Sequence, residues 1–416
     1  MLFSIYFNRA NCDEELMRTL EIERYKGRDD YPVRVVWNTI LAGIVFQHRS
    51  IQELIRELKR NAQLRTICGV KGINKVPPSW VYTRFFKKLF KHKELIDKMF
   101  DNLVDELAAL LPNFGKNLAI DSKAISSLAK NKNDNTKEDG CRDTDADYGR
   151  KEYRGIRKDG TGWERISKWF GYKLHLIVDT TYELPVAFEL TRASVSDIKG
   201  GHKLVEKLDE KHHEVIIDKC EVLEADKGYD DSKLIEKLWD EYNIKPVIDI
   251  RNMWKDKEET RQLKDFENVA YDYKGSVYCY CMKTGERREM VNGGFEKSRD
   301  TLKKLCPAKC YGLECKYMGE CCVKQGIRIP LREDRRVFTP IDRSSYKWER
   351  EYDKRTAVER VNSRLDVSFG FEQHYIRGKK KMEIRCGLAL CVMLTMAVGR
   401  IKEGRMNDMR SLVKSA

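Results

Sequence analysis

Hydrophobic positions in the first 115 residues recur at helical spacing. Ile51, Leu54, Ile55 and Leu58 stand at i, i+3, i+4 and i+7, which predicts a helix with one apolar face. Ser50, with Glu53 three places on, has the form of a capping box at the start of that helix. Pro77-Pro78-Ser79 predicts the opening of a second, long helix. Along it Trp80, Phe85, Phe86, Leu89, Phe90, Leu95, Met99, Leu103 and Leu107 fall at near-helical intervals. Between Arg84 and Lys93 this helix carries five Lys or Arg and no acid, so a basic edge lies beside its aromatic face.

After Pro112 the pattern changes. Asn117-Leu118-Ala119-Ile120-Asp121 predicts a short buried strand ending on a carboxylate. Residues 130–165 are polar and read as a loop or a long hairpin tip. Residues 171–179 and 184–190 then have strand character, with Thr180-Thr181-Tyr182-Glu183 as the turn between them. A helix over 198–209, a strand over 221–226, a helix from Asp231 to Tyr242 and a strand over 245–250 follow. Strand pairs followed by alternating strands and helices predict an α/β sheet.

Residues 251–335 interrupt that rhythm. They are polar, hold seven of the thirteen Cys, and offer few apolar residues for a core of their own. Helices over 351–367 and 380–402 complete the pattern. The expected division is a helical N-terminal region at 1–115, an α/β core at 116–250 and 336–405, and a cysteine-rich insertion at 251–335.

Charge sharpens this picture. The 416 residues carry 80 Lys+Arg against 66 Asp+Glu, a net of +14. Hydrophobic residues at 41% are enough to build a core, which excludes wholesale disorder. Residues 1–115 are net +5 and residues 341–416 net +7, so the middle of the chain is nearly neutral. Basic ends around a neutral middle point to a polyanion such as nucleic acid, with a solvated basic surface as the plainer alternative. On the basic helix edge, Arg84, Lys87 and Lys88 are the candidate contacts. The longest apolar run, residues 387–399, is too short to span a bilayer and reads as a buried helix. The apolar start, residues 1–7, lacks a basic leader and a cleavage site, so a cytoplasmic protein is expected. Thirteen Cys in that setting imply reduced thiols or metal rather than disulfides.

Three carboxylates stand out by position. Asp121 ends one predicted strand, and Asp226 ends another just ahead of Lys227-Gly228-Tyr229. Glu359 sits on a helix, with Arg355 four residues before it and Tyr352 two turns before it, so that all three share a face. Oxygen ligands from strand ends and a neighbouring helix suit hard divalent cations. Two such ions can assist displacement at a phosphodiester. Singly, an Asp after a strand caps a turn, and Arg355–Glu359 is a surface ion pair. Together and in order, the three argue for an active site.

The sequence resembles the bacterial insertion-sequence DDE transposases with a ribonuclease-H-like catalytic core. The matching segments are Ala119-Ile120-Asp121-Ser122-Lys123, Gly171-Tyr172-Lys173-Leu174-His175, Ala225-Asp226-Lys227-Gly228-Tyr229-Asp230, and Tyr352-x2-Arg355-x3-Glu359. With Asp30-Tyr31-Pro32-Val33 and Ser50-Ile51-Gln52-Glu53-Leu54, the resemblance covers about residues 30–400. It implies a ribonuclease-H-like mixed sheet flanked by helices. It also implies metal-dependent cleavage at element ends, followed by attack of the freed 3′-hydroxyl on target DNA. Asp121, Asp226 and Glu359 would then be the catalytic residues, holding two Mg²⁺ (or Mn²⁺). Arg355 would grip a phosphate with its fork, and Tyr352 would stack on a base or bond a phosphate. Double-stranded DNA, a homodimer holding two ends and a nucleoid-associated location follow from the same resemblance.

One departure matters. The family places a Lys seven residues after the Glu, and this chain has Asp366 there. Arg360 and Arg364 are the expected replacements for the lost phosphate contact. Two rival readings follow: a DNA-binding protein of weak or no activity, or a nuclease that cuts without joining. In the insertion, Cys306, Cys310, Cys315 and Cys321, with Cys279-x-Cys281 upstream, fit a structural zinc ion. An iron–sulfur cluster is the lesser reading, and unligated thiols the plain one. Trp169 and Phe170 are expected to pack in the core before stacking on a base, and His175 to be a core or surface histidine.

Overall fold

The computed structural model describes residues 12–25, 30–129, 143–157, 159, 161–256 and 258–411, so residues 1–7 and 130–142 lie outside the described part. Helices fill the N-terminal region: α1 (Glu14–Arg24), α2 (Val33–Val45), α3 (Ile51–Arg60), α4 (Ala62–Cys68), α5 (Ser79–Lys91) and α6 (Lys93–Leu110). Ser50 starts α3 as predicted, its hydroxyl accepting from the Glu53 N–H at 3.2 Å. The Glu53 carboxylate reaches one residue further back than in a full capping box, to the Arg49 N–H at 2.8 Å.

The long helix predicted from Ser79 is two helices. His92, at φ −114° and ψ 36°, breaks it. The corner lets α5 stay with α2 and α3 while α6 lies along the C-terminal helix, so both apolar faces are buried.

The main sheet holds β1 (Asn117–Ser126), β2 (Asp147–Ile156), β3 (Gly162–Asp179), β4 (Leu184–Arg192), β5 (Val222–Ala225) and β6 (Lys245–Ile248). The first half of β3 pairs with β2, making the polar stretch a long hairpin. Its second half lies antiparallel between β1 and β4. A Cβ on Gly171, at the joint, would stand 2.2 Å from the Ile125 carbonyl oxygen, so only glycine fits where these strands meet. Beyond β1, β5 and β6 run parallel to it. The crossovers are α7 (Asp197–His212) and α8 (Ser232–Glu236), the latter continuing as a π-helical turn, Lys237–Glu241.

Two small sheets follow. β7 (Arg261–Gln262), β8 (Val269–Tyr271), β9 (Val277–Tyr280) and β10 (Arg287–Glu289) form one, and β11 (Val291–Glu296), β12 (Thr301–Leu305) and β13 (Gly326–Pro330) the other, with the short helix α9 (Pro307–Tyr311). Contrary to expectation, this segment has its own apolar core, including Leu263, Val269, Val277, Leu302, Ile329 and Phe338. Each short strand turns only one or two apolar side chains inward. No window therefore looks hydrophobic, although the side chains converge.

The chain closes with α10 (Tyr346–Asp353), α11 (Thr356–Phe369) and α12 (Lys379–Lys402). By length and composition α12 could cross a membrane, but 89% of its most apolar window is buried inside the protein. It is the core helix the sequence predicted. A Cβ on Gly387 would stand 3.3 Å from Ile96, which shows how closely α12 and α6 approach. One hydrophobic core runs from the N-terminal helices through α12 to the sheet.

Candidate active site

β1 does not end at Asp121; it continues to Ser126, paired with β3 throughout. What ends there is its parallel neighbour. β5 pairs with β1 only as far as Ile120 opposite Ala225, so Asp121 and Asp226 come next, side by side, where the parallel pair opens. The strand-end expectation holds for Asp226 and is corrected for Asp121.

Asp226 also caps the turn Lys227–Tyr229, its Oδ1 accepting from the Gly228 N–H at 2.7 Å. A Cβ on Gly228 would stand 2.6 Å from that oxygen, so glycine lets the carboxylate fold over the turn. Burial pushes the Asp121 carboxyl up to about 6, with Lys151 opposing the rise and Asp226 adding to it. Lys151 arrives from β2, where its Nζ donates to the Ser122 carbonyl at 2.9 Å.

The helix predicted over 351–367 is likewise two, α10 and α11, broken at Lys354 and Arg355. Tyr352 and Glu359 therefore stand on different helices, yet both meet Arg355. The guanidinium carbon is 5.5 Å from the Tyr352 ring centroid, and Nη1 is 2.9 Å from Glu359 Oε1. Tyr352 stacks on Trp348 with centroids 4.8 Å apart and planes at 11°. Against the effect of burial, Tyr352, Glu359 and Asp121 hold the Arg355 guanidinium charged. Arg355 thus stands between the aspartates and Glu359. Among the described residues no three His, Cys, Asp or Glu side chains stand close enough to hold a metal ion, and the exposed Glu359 faces Arg355 rather than joining the aspartates.

Other expected residues lie elsewhere. Arg360 Nε is 2.5 Å from Glu183 Oε1, and Arg364 donates to the Glu183 carbonyl. Glu183 belongs to the turn between β3 and β4, beside the start of β1, so these arginines brace that turn. Burial brings the Arg364 guanidinium down to about 10. Asp366 instead meets Lys123, Nζ to Oδ2 at 2.5 Å, two residues along β1 from Asp121. Arg84, Lys87 and Lys88 stand on α5, outside this group; Arg84 covers Trp80 at 4.8 Å and Lys88 is 3.9 Å from Glu23. Trp169 donates to the Tyr172 carbonyl at 3.0 Å, Phe170 is buried, and the buried His175 meets Thr191 at 2.9 Å. All three serve packing.

Three acidic-site neighbours escaped the sequence reading. Lys151 lies in a polar stretch with no period to mark it. Asp197, at the start of α7, accepts from Ser122 Oγ at 2.8 Å and pairs with Lys173 at 3.1 Å. Although burial opposes it, Lys173 and Ser122 hold the Asp197 carboxyl below its usual range. Asp249 follows β6, its N–H donating to the Ala225 carbonyl at 3.2 Å, so it stands one strand beyond Asp226. The strand-then-Asp pattern in Val247-Ile248-Asp249 was the available signal.

Of the four cysteines expected to hold zinc, Cys310 is exposed. Cys306, Cys315 and Cys321 line a small pocket with Cys279 and Cys281, and Cys310 is not part of its wall.

A family model described as Transposase DDE domain matches residues 116–395, and one described as Transposase domain (DUF772) matches residues 6–88. A similar solved structure is a piggyBac transposase synaptic complex with hairpin DNA, at 11% identity over 92% of this chain and 70% of that one. Its TM-score is 0.41. No curated protein matches the sequence. The Asp121–Asp226 pair falls inside the first match, which spans most of the sequence, and the chain belongs to the DDE-domain transposases.

Proposed function

We propose that the chain cuts double-stranded DNA at the ends of an insertion sequence and joins the freed 3′-hydroxyl to target DNA. The observation that carries this reading is the placing of Asp121 beside Asp226 where β1 and β5 open. The strand order β4-β3-β1-β5-β6, with β3 antiparallel to its neighbours and β1, β5 and β6 parallel, supports a ribonuclease-H-like core.

The pair fits a hard divalent cation. Both donors are carboxylate oxygens, and burial and mutual repulsion disfavour the charge on Asp121 until a cation offsets it. Mg²⁺ or Mn²⁺ held by Asp121 and Asp226 would supply charge neutralisation at the scissile phosphate and a more acidic attacking hydroxyl. Glu359 is the third donor in this reading, freed when Arg355 turns from it to a DNA phosphate. A guanidinium fork meets two phosphate oxygens at once, whereas an ion pair with an exposed Glu contributes about 1 kcal/mol or less. Tyr352, backed by Trp348, presents an aromatic face beside Arg355. Lys123, steered by Asp366, supplies the cation beside β1 that Arg360 and Arg364 do not.

The test is to incubate the purified chain with labelled end DNA, a target plasmid and Mg²⁺. Joined products are expected, and Asp226→Asn should bind the ends but form none. Cutting without joining would establish the nuclease reading. Binding without cutting would establish the inactive one. Joining by Asp226→Asn at the wild-type rate would overturn the site assignment.

A further inference from the structure

The pocket lined by Cys279, Cys281, Cys306, Cys315 and Cys321 has a volume of about 20 Å³. That space suits one water-sized particle and excludes an organic ligand. Its thiols come from three places. Cys279 lies in β9 and Cys281 just beyond it, Cys306 precedes α9, and Cys315 and Cys321 lie in the stretch 312–325, which has no helix or strand.

These five sulfurs converge on one pocket from separate segments of the chain. Cys281 is in side-chain hydrogen-bond contact with Thr284 and with Cys315. Cys279 lies within electrostatic reach of Cys306, Cys321 and Cys315. Asn268 Nδ2 donates to Cys321 Sγ at 3.3 Å, and the Arg288 guanidinium lies beside Cys315 and Cys279. All five cysteines are free of disulfides. Cys279, Cys306, Cys315 and Cys321 adjoin the apolar core of this segment, and Asn268, Glu286, Arg288 and Lys324 share the same pocket wall.

We propose that this pocket binds one soft divalent cation, zinc by its chemistry, through four thiolates drawn from those five cysteines. Zn²⁺ takes four thiolates in a tetrahedron, a donor set that Mg²⁺ avoids. No three of these thiols already stand at binding distance, so the site closes on its ion and each ligand loses a proton as it binds. Closure ties the 312–325 stretch to β9 and to the start of α9. It thereby fixes a long connection that has no backbone ladder of its own.

The experiment uses the full chain, purified under reducing conditions without added metal. About one zinc per chain is expected by elemental analysis. Growth with Co²⁺ should give sulfur-to-cobalt charge-transfer bands and the intense visible bands of a tetrahedral site. Replacing two of the five together, Cys279→Ser with Cys315→Ser, should lower zinc affinity at least tenfold, while Cys310→Ser and Cys322→Ser keep it. Where a variant does not fold, the wild-type chain still decides: stripping zinc with a chelator should expose about four additional thiols to a thiol reagent. A metal-free chain with every thiol already reactive would overturn the proposal. So would disulfides among the five, or zinc lost on replacing Cys310 but kept on replacing Cys279 and Cys315 together.

Discussion

Two clusters of acidic side chains, one of carboxyls and one of thiols, stand in this chain, and they are assembled by opposite means. Asp121 and Asp226 are neighbours because the register of parallel strands makes them so, and backbone hydrogen bonds fix that register. The five thiols meet because a strand end, a helix start and a long turn-rich stretch converge. The first group is rigid and hard, with repulsion built in. The second is soft and is carried by segments without a shared backbone ladder. A sheet can hold like charges together without help, whereas a set of loops needs the ligand itself.

Asp121→Asn and Asp226→Asn should each cut DNA cleavage by at least about 10²-fold while leaving the far-ultraviolet dichroism spectrum unchanged, because the sheet does not depend on their charge. Glu359→Gln should also lower cleavage, by at least about tenfold, and shift stability by less than about 0.5 kcal/mol in urea, since it leaves an exposed pair.

The cost of burying the Asp121 charge, with repulsion from Asp226 added to it, is measurable. The Asp121 carboxyl is raised to about 6 from 3.8, so the folded state holds a proton that the unfolded state releases between those values. Its contribution to stability therefore falls as pH rises through that window and stays low above it. Asp121→Asn should be more stable than the wild type by up to about 3 kcal/mol above pH 6, and no more stable near pH 4. Mg²⁺ should raise the melting temperature of the wild type and not that of the variant.

A smaller effect, in which the replacement costs stability instead of adding it, lies between α6 and α7. Burial disfavours charge on His212, but Asp101 and Asp105 raise its pKa. That stabilisation is complete below the ordinary histidine value and fades as pH rises through the raised one. His212→Gln should cost about 1–2 kcal/mol at pH 5.5 and less at pH 9, read by denaturant titration.

Local order was legible in the sequence where one signal decides it. The Ser50 cap, the β3–β4 hairpin and the apolar run of α12 each formed as predicted. Breaks set by tertiary packing were not legible. Nothing in residues 79–107 or 351–367 marks His92 or Arg355 as a corner, because each corner forms so that flanking helices can pack in different directions. The aspartates were found because strand-then-Asp patterns survive in one dimension, but their pairing needed the register. Arg360 and Arg364 were placed near the site by sequence distance alone, and the helix turns them toward Glu183. Lys151 reaches the site from another strand, a relation no local window carries.

The central claim is that Asp121 and Asp226 act as one cation-binding unit. The most direct test is isothermal titration of Mn²⁺ into the full chain bound to end DNA. The wild type should bind Mn²⁺ with high-micromolar or tighter affinity, and both Asp121→Asn and Asp226→Asn should weaken it at least tenfold. Unchanged Mn²⁺ binding in either variant would contradict the account.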